Sequence, residues 1–154
     1  MTFYTEIVLI KTFPRVKDLF KSILTGSNST PPESVQIAFN QKFKEAVSVE
    51  WHFEGNYFES IFVYHGKEII CRFEKTAKWV DTRINQSLDE IDKKITLKLS
   101  KLGEIMSSIR IEKPESILFE FVIRDKDMNR QIYFTDPSGE IVEKRGFNSV
   151  YDLF

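Results

Sequence analysis

Two stretches of this chain present the same signals in the same order: a helix start, an apolar helical face, then short alternating segments parted by turn residues. In the first, Thr30 and Glu33 stand at capping-box spacing with Pro31 at the first helical position, and Val35, Ala38, Phe39 and Phe43 mark one face. In the second, Ser87 and Glu90 repeat the box, followed by Leu88, Ile91, Ile95, Leu99 and Leu102. After each helix come strand-like runs: Val47 to Phe53, Phe58 to Phe62, Ile69 to Phe73 and the stretch around Trp79; then Ile105 to Ile111, Phe119 to Ile123, Ile132 to Phe134, and Ile141-Val142. Phe58 to Phe62 lies over Phe119 to Ile123 at a spacing of 61 residues, and Cys71 and Phe73 lie over Ile132 and Phe134 at the same spacing. Trp79-Val80 falls over Ile141-Val142 one residue later.

This pattern predicts an α+β fold: two helix-plus-antiparallel-strand repeats forming one sheet, with helices on one face and the other face open. The expected division is an N-terminal strand (2–13), amphipathic helix and linker over 1–29, repeats over 30–86 and 87–146, and a tail over 147–154. Residues 25–30, small and polar throughout, form the linker. Before them, Val16, Leu19, Phe20, Ile23 and Leu24 recur at helical spacing, with Arg15, Lys17 and Lys21 as the polar side. Such a segment can lie on a membrane surface, but at some three turns it more simply covers part of a core.

Fourteen Phe, five Tyr and two Trp suit a sheet-rich core, since aromatic rings fit a pleated, half-buried surface. A net charge of -1 argues against general nucleic-acid binding, which needs a positive surface, and leaves room only for a local basic patch. The single cysteine, Cys71, rules out an intrachain disulfide. No apolar run approaches the ~20 residues of a membrane span. The start lacks a basic leader region, which predicts a cytoplasmic protein, or a periplasmic one if a leader has been removed.

The residues also carry a family resemblance. PPESVQIAFNQKF, VEW, NYFESIFVYHGKEIICRF and AKW in the first half, with RDKDMNRQIYF and DPSGEIV in the second, resemble the tandem PepSY-like modules related to the β-lactamase-inhibitor fold, of the Bacteroidetes type. The match covers roughly residues 30–145. Ile111 and Ile141 replace the tryptophans of the first half, and Ala77 stands where the family usually has glycine. The resemblance implies helices on one face of an antiparallel sheet, a concave opposite face and no catalytic residues.

Candidate chemistry is sparse. By alternation Cys71 points with Phe73 toward the helices, His65 sits in a hairpin turn, and His52 lies opposite Trp51, so no Cys–His pair is expected. Asp125, Asp127 and Asn129 mimic calcium-loop spacing, but Arg130 occupies the place of the required glycine, and a polar turn is the simpler reading. Trp51, Phe58, Phe62, Phe73 and Trp79 are expected to pack against Val35, Phe39 and Phe43.

Function is instead expected on the face away from the helices. Alternation gives it Glu50, His52, Tyr57, Glu59, Ile61, Val63 and Arg72, then Arg110, Glu120, Val122, Arg124 and Tyr133. A mixture of Tyr, Arg and β-branched residues with carboxylates resembles interface composition, although Glu59 with Arg72 also reads as a cross-strand ion pair. The expectation is a non-enzymatic module that binds a protein or peptide through His52, Tyr57, Ile61, Arg72, Arg110, Val122 and Tyr133, without cofactor or metal. A small-ligand carrier with a pocket between sheet and helices is the alternative.

Overall fold

The computed structural model describes residues 29–146; the predicted N-terminal strand and helix and the C-terminal tail lie outside them. Helix α1 (Glu33–Lys42) leads into strands β1 (Val47–Glu54), β2 (Tyr57–Tyr64), β3 (Lys67–Glu74) and β4 (Trp79–Asn85). A helical turn (Leu88–Glu90) and helix α2 (Lys93–Ser100) follow, then β5 (Glu104–Lys113), β6 (Ser116–Arg124), β7 (Arg130–Thr135) and β8 (Ile141–Gly146). All eight strands form one antiparallel sheet in sequence order, continuous through the β4–β5 pairing. This is the expected α+β architecture.

Both helix starts differ from their predicted caps. Thr30 does not cap α1; Pro32 stands at the cap position without a side-chain bond, and its carbonyl accepts from the Val35 and Gln36 amides. The cause is the Pro31-Pro32 pair, because a residue before proline is pushed out of helical conformation and the first turn must wait until Pro32 has passed. The Ser87–Glu90 box does form, but it closes only the short turn. Helix α2 starts again at Asp92, whose carboxylate accepts from the Lys94 amide at 2.8 Å. Leu88 and Leu102 thus fall outside α2 and are exposed, whereas Ile91, Ile95 and Leu99 are buried.

Under α1, Val35, Phe39 and Phe43 pack on Phe58, Phe62, Ile69, Cys71 and Phe73, flanked by Trp51 and Trp79, as predicted. Ile91, Ile95 and Leu99 pack on Phe121, Ile123 and Tyr133 in the second half. Cross-strand partners share a sheet face, so the register assigns every strand side chain to a side.

Two assignments in the second half are reversed. A bulge between Ile105 and Ser107 flips the phase of β5, which leaves Ile111 away from the helices and brings Arg110 to the helix side, opposite Ile84 and Phe119. The β6–β7 turn also carries one residue more than its counterpart. Three residues separate Asp125 from Asn129, where the His65-Gly66 pair alone separates Tyr64 from Lys67. A one-residue shift inverts a strand, so Tyr133 faces the helices and Ile132 and Phe134 face away.

The turns follow local chemistry. His65 and Gly66 both take positive φ, 50° and 76°, as a two-residue hairpin of the primed type requires. Asp125 accepts from the amides of Asp127 and Asn129, as a polar turn and not a calcium loop would have it. Ala77 holds φ at 68°, the conformation that glycine adopts freely. A left-handed alanine costs about 1–2 kcal/mol, partly offset by the greater freedom glycine brings to the unfolded chain, so Ala77→Gly is expected to stabilise by roughly 0.5–1 kcal/mol. A raised urea midpoint with an unchanged slope is the expected reading.

Candidate functional site

Neither described helix lies on the second sheet face, yet its centre is screened from solvent: Ile61 and Ile70 are each 1% exposed and Ile132 is fully buried. Four consecutive cross-strand partners form a polar row there, His52 on β1, Glu59 on β2, Arg72 on β3 and Asp81 on β4. Arg72 donates through Nε to Asp81 Oδ1 at 2.9 Å and through its terminal nitrogen to Oδ2, a two-pronged bond matched to the carboxylate plane. Its guanidinium also lies 5.4 Å from the Tyr57 ring centre.

Beside this row runs an apolar one, Ile61, Ile70 and, beyond Arg83, Ile111 and Leu118. Val122, Ile132 and Phe134 continue it toward β7, in a cluster that contains no helix residue. Glu120 sits among them, 3.7 Å from Arg83.

The polar groups of this face are incompletely satisfied. Both ring nitrogens of His52, Oε1 of Glu59 and Oε1 of Glu120 are buried and have no hydrogen-bond partner among the described residues. Burial pushes the Glu59 carboxyl up to about 7, reinforced by Glu54 and opposed by Arg72 and Arg83. Burial also raises Glu120, against the pull of Arg83 and Arg145.

Because folded Glu59 keeps a proton that the unfolded chain releases, the contribution of this group to stability is greatest below the ordinary glutamate range. It falls as pH rises toward about 7 and is level above. The loss from this group is on the order of 3 kcal/mol at most. Glu59→Gln is expected to reduce that slope, leaving the part due to Glu120. Urea midpoints at pH 4.5 and 8 measure it, and an unaltered slope in the variant would refute the assignment.

Of the residues expected on this face, His52, Tyr57, Ile61, Arg72 and Val122 are there; Arg110 and Tyr133 are on the helix side. Ile70, Asp81, Ile111, Ile132 and Phe134 also line it. Asp81 and Arg83 alternate with Thr82 and Ile84, a signal that the tryptophan beside them obscures.

Cys71 lies under the helices, its thiol pushed up to about 12 by burial, with the Thr82 hydroxyl donating to Sγ at 3.4 Å. The sheet separates it from His52, and His65 is exposed in its turn. Among the described residues no three His, Cys, Asp or Glu side chains are grouped to hold a metal ion, and no helix is long and apolar enough to cross a membrane.

No family model and no curated protein matches the chain. Solved structures do. A DUF2874 family protein from Bacteroides ovatus superposes with a TM-score of 0.74 at 20% identity, over 81% of this chain and 94% of its own. A BLIP-like protein from Bacteroides fragilis gives 0.71 at 15% identity, over 79% and 89%. A Bacteroides eggerthii protein, provisionally described as periplasmic, gives 0.70 at 21% identity, over 77% and 91%. The predicted cytoplasmic location draws no support from these neighbours. At such identities the likeness speaks to the fold alone: the described residues have a BLIP-like arrangement, with two helices on one face of an eight-stranded antiparallel sheet.

Proposed function

We propose that this chain is a non-enzymatic binding module, built of two PepSY-like repeats, that engages a protein or peptide through the sheet face away from the helices. The observation that carries this reading is the set of orphaned polar atoms on His52, Glu59 and Glu120, set among buried isoleucines. A buried polar group left unpaired costs about 1–3 kcal/mol, so a fold retains several on one face at a stability cost that a partner's donors would relieve. Tyr57 and Val63, both half-buried at the margin, supply apolar contact area. A small-ligand carrier fits less well, because Phe39, Phe43, Phe62 and Phe73 fill the space between α1 and the sheet.

The test is capture from native lysate by the full chain and by a Tyr57→Ala/Val63→Asp variant. Partner recovery is expected to drop by about tenfold or more, since losing 1.4 kcal/mol already weakens binding tenfold. An Ile37→Asp change on α1, where the side chain is exposed, should leave recovery unaltered. Equal recovery by the wild type and the double variant would remove this face from consideration.

A further inference from the structure

We propose that β8 is a dimerisation edge, on which a second copy of this chain lays its own β8 antiparallel about a two-fold axis at Lys144. The inference is independent of the recognition reading above and concerns the edge of the sheet rather than its face.

The pairing of β7 with β8 reproduces that of β3 with β4 residue for residue. Ile70 with Arg83, Cys71 with Thr82 and Arg72 with Asp81 reappear as Ile132 with Arg145, Tyr133 with Lys144 and Phe134 with Glu143. A register shift follows Arg72 and Phe134 alike. On its other side β4 receives β5 through Thr82 to Asn85. The equivalent side of β8 has no strand beside it among the described residues, and every β8 residue is exposed. Ladder hydrogen bonds alternate in direction along a strand. Counted from the two-residue hairpin that closes with Tyr64 opposite Lys67, Thr82 and Ile84 direct theirs to β5. Lys144 and Gly146 hold those positions in β8, so their amides and carbonyls point outward, as a template for a further strand.

The opposite sheet edge is blunted. The register of β1 shifts between Val47 and Glu50, Ser48 takes a φ of 55°, and the Trp51 carbonyl accepts from the Ser29 amide. A contact of β8 with β1 of another copy is thereby disfavoured. What is left is β8 on β8, which closes at two copies.

Charge selects the register. With Lys144 on the axis, Glu143 stands opposite the partner's Arg145, and Arg145 opposite the partner's Glu143. Within one chain Arg145 Nε already donates to Glu143 Oε1 at 2.5 Å, and its guanidinium lies 4.8 Å from the Phe134 ring centre, so both heads are held at the edge. The dimer joins two such pairs into a ring of four alternating charges. A register centred on Glu143 or on Arg145 would oppose like charges on this face. Lys144 meets its own counterpart on the helix side, but its ammonium lies 5.4 Å from the Tyr133 ring centre, drawn back over its own sheet and away from the axis.

Sedimentation equilibrium of the full chain is expected to show a monomer–dimer equilibrium, weak because few residues meet. A monomer at every concentration up to about 1 mM would overturn the proposal. Glu143→Arg and Arg145→Glu should each weaken the dimer by about tenfold or more, since each sets like charges across the axis. Mixed in equal amounts, the two variants should recover a dimer, because the arginines of one then face the glutamates of the other. Both positions are exposed, so neither change threatens the fold. A dimer unaffected by both changes would overturn the proposal, as would one lost in both and not recovered on mixing.

Disulfide trapping reads the register directly. Glu143→Cys mixed with Arg145→Cys should form a linked heterodimer under mild oxidation, because opposite positions place their Cβ atoms ~5 Å apart. Either variant alone should stay unlinked, since same-numbered positions then lie on a diagonal of ~7–8 Å. Cys71 is buried and takes no part. Linkage in a single variant, with none in the mixture, would move the axis off Lys144 and overturn the assignment.

Discussion

Phe39→Ala is expected to destabilise the protein by about 3–5 kcal/mol, the cost of a deleted core aromatic plus the cavity it leaves. Phe39 is the hub of the first half. Its ring lies 4.9 Å from Phe62, 5.1 Å from Trp51 and 5.4 Å from Phe43 between centres, the first two in edge-on geometry. Relaxation cannot close the gap cheaply, because α1 is only ten residues long and each neighbouring ring already packs against others. Phe39→Leu refills most of the volume and should cost much less, roughly 1–2 kcal/mol. Urea unfolding measures both, and a loss below about 1 kcal/mol for the alanine variant would mean that α1 is not the lid of this core.

Asp81→Ala is expected to cost about 3 kcal/mol. Asp81 is almost wholly buried and holds Arg72 by two bonds, so its removal strands a guanidinium whose side chain is about a quarter exposed. Breaking one side of a buried pair costs about 3–5 kcal/mol, and the partial exposure of Arg72 places this case at the low end. Removing the Asp81 charge should also lower the Glu59 carboxyl, because Asp81 raises it and the freed Arg72 can turn toward it. By contrast, Arg72→Met with Asp81→Leu removes both charges and should be nearly neutral for stability. The combination separates the pair's effect on the fold from any effect of this face on binding.

The helices, turns and first-half core were legible because their signals are local. Phe39 and Phe43 recur at helical spacing, Gly66 sits in the hairpin turn between β2 and β3, and Trp51, Phe58, Phe62 and Phe73 alternate in phase. The errors in the candidate site have one physical origin. Strand sidedness has a period of two, so a single inserted residue inverts everything after it until the chain turns again. The bulge at Met106 did this to Arg110, and the longer Asp125–Asn129 turn did it to Tyr133. Both segments have apolar residues at odd and even positions, as in Met106 to Ile111 and Ile132 to Phe134, so composition gives no warning. Pairing across strands is nonlocal, and only register decides it. Burial of the second face was equally hidden, because Glu59 and Asp81 read as solvated charges in sequence.

Site-specific photo-crosslinking in the full chain tests the central claim most directly. A benzoylphenylalanine placed at Tyr57 or Val63 samples the sheet face away from the helices; one at Ile37 or Leu97 samples exposed positions on α1 and α2. Irradiation in native lysate is expected to yield a discrete protein or peptide adduct from positions 57 and 63 and none from 37 and 97. The same adduct formed from 37 or 97, with none from 57 and 63, would place recognition on the helices and contradict the assignment.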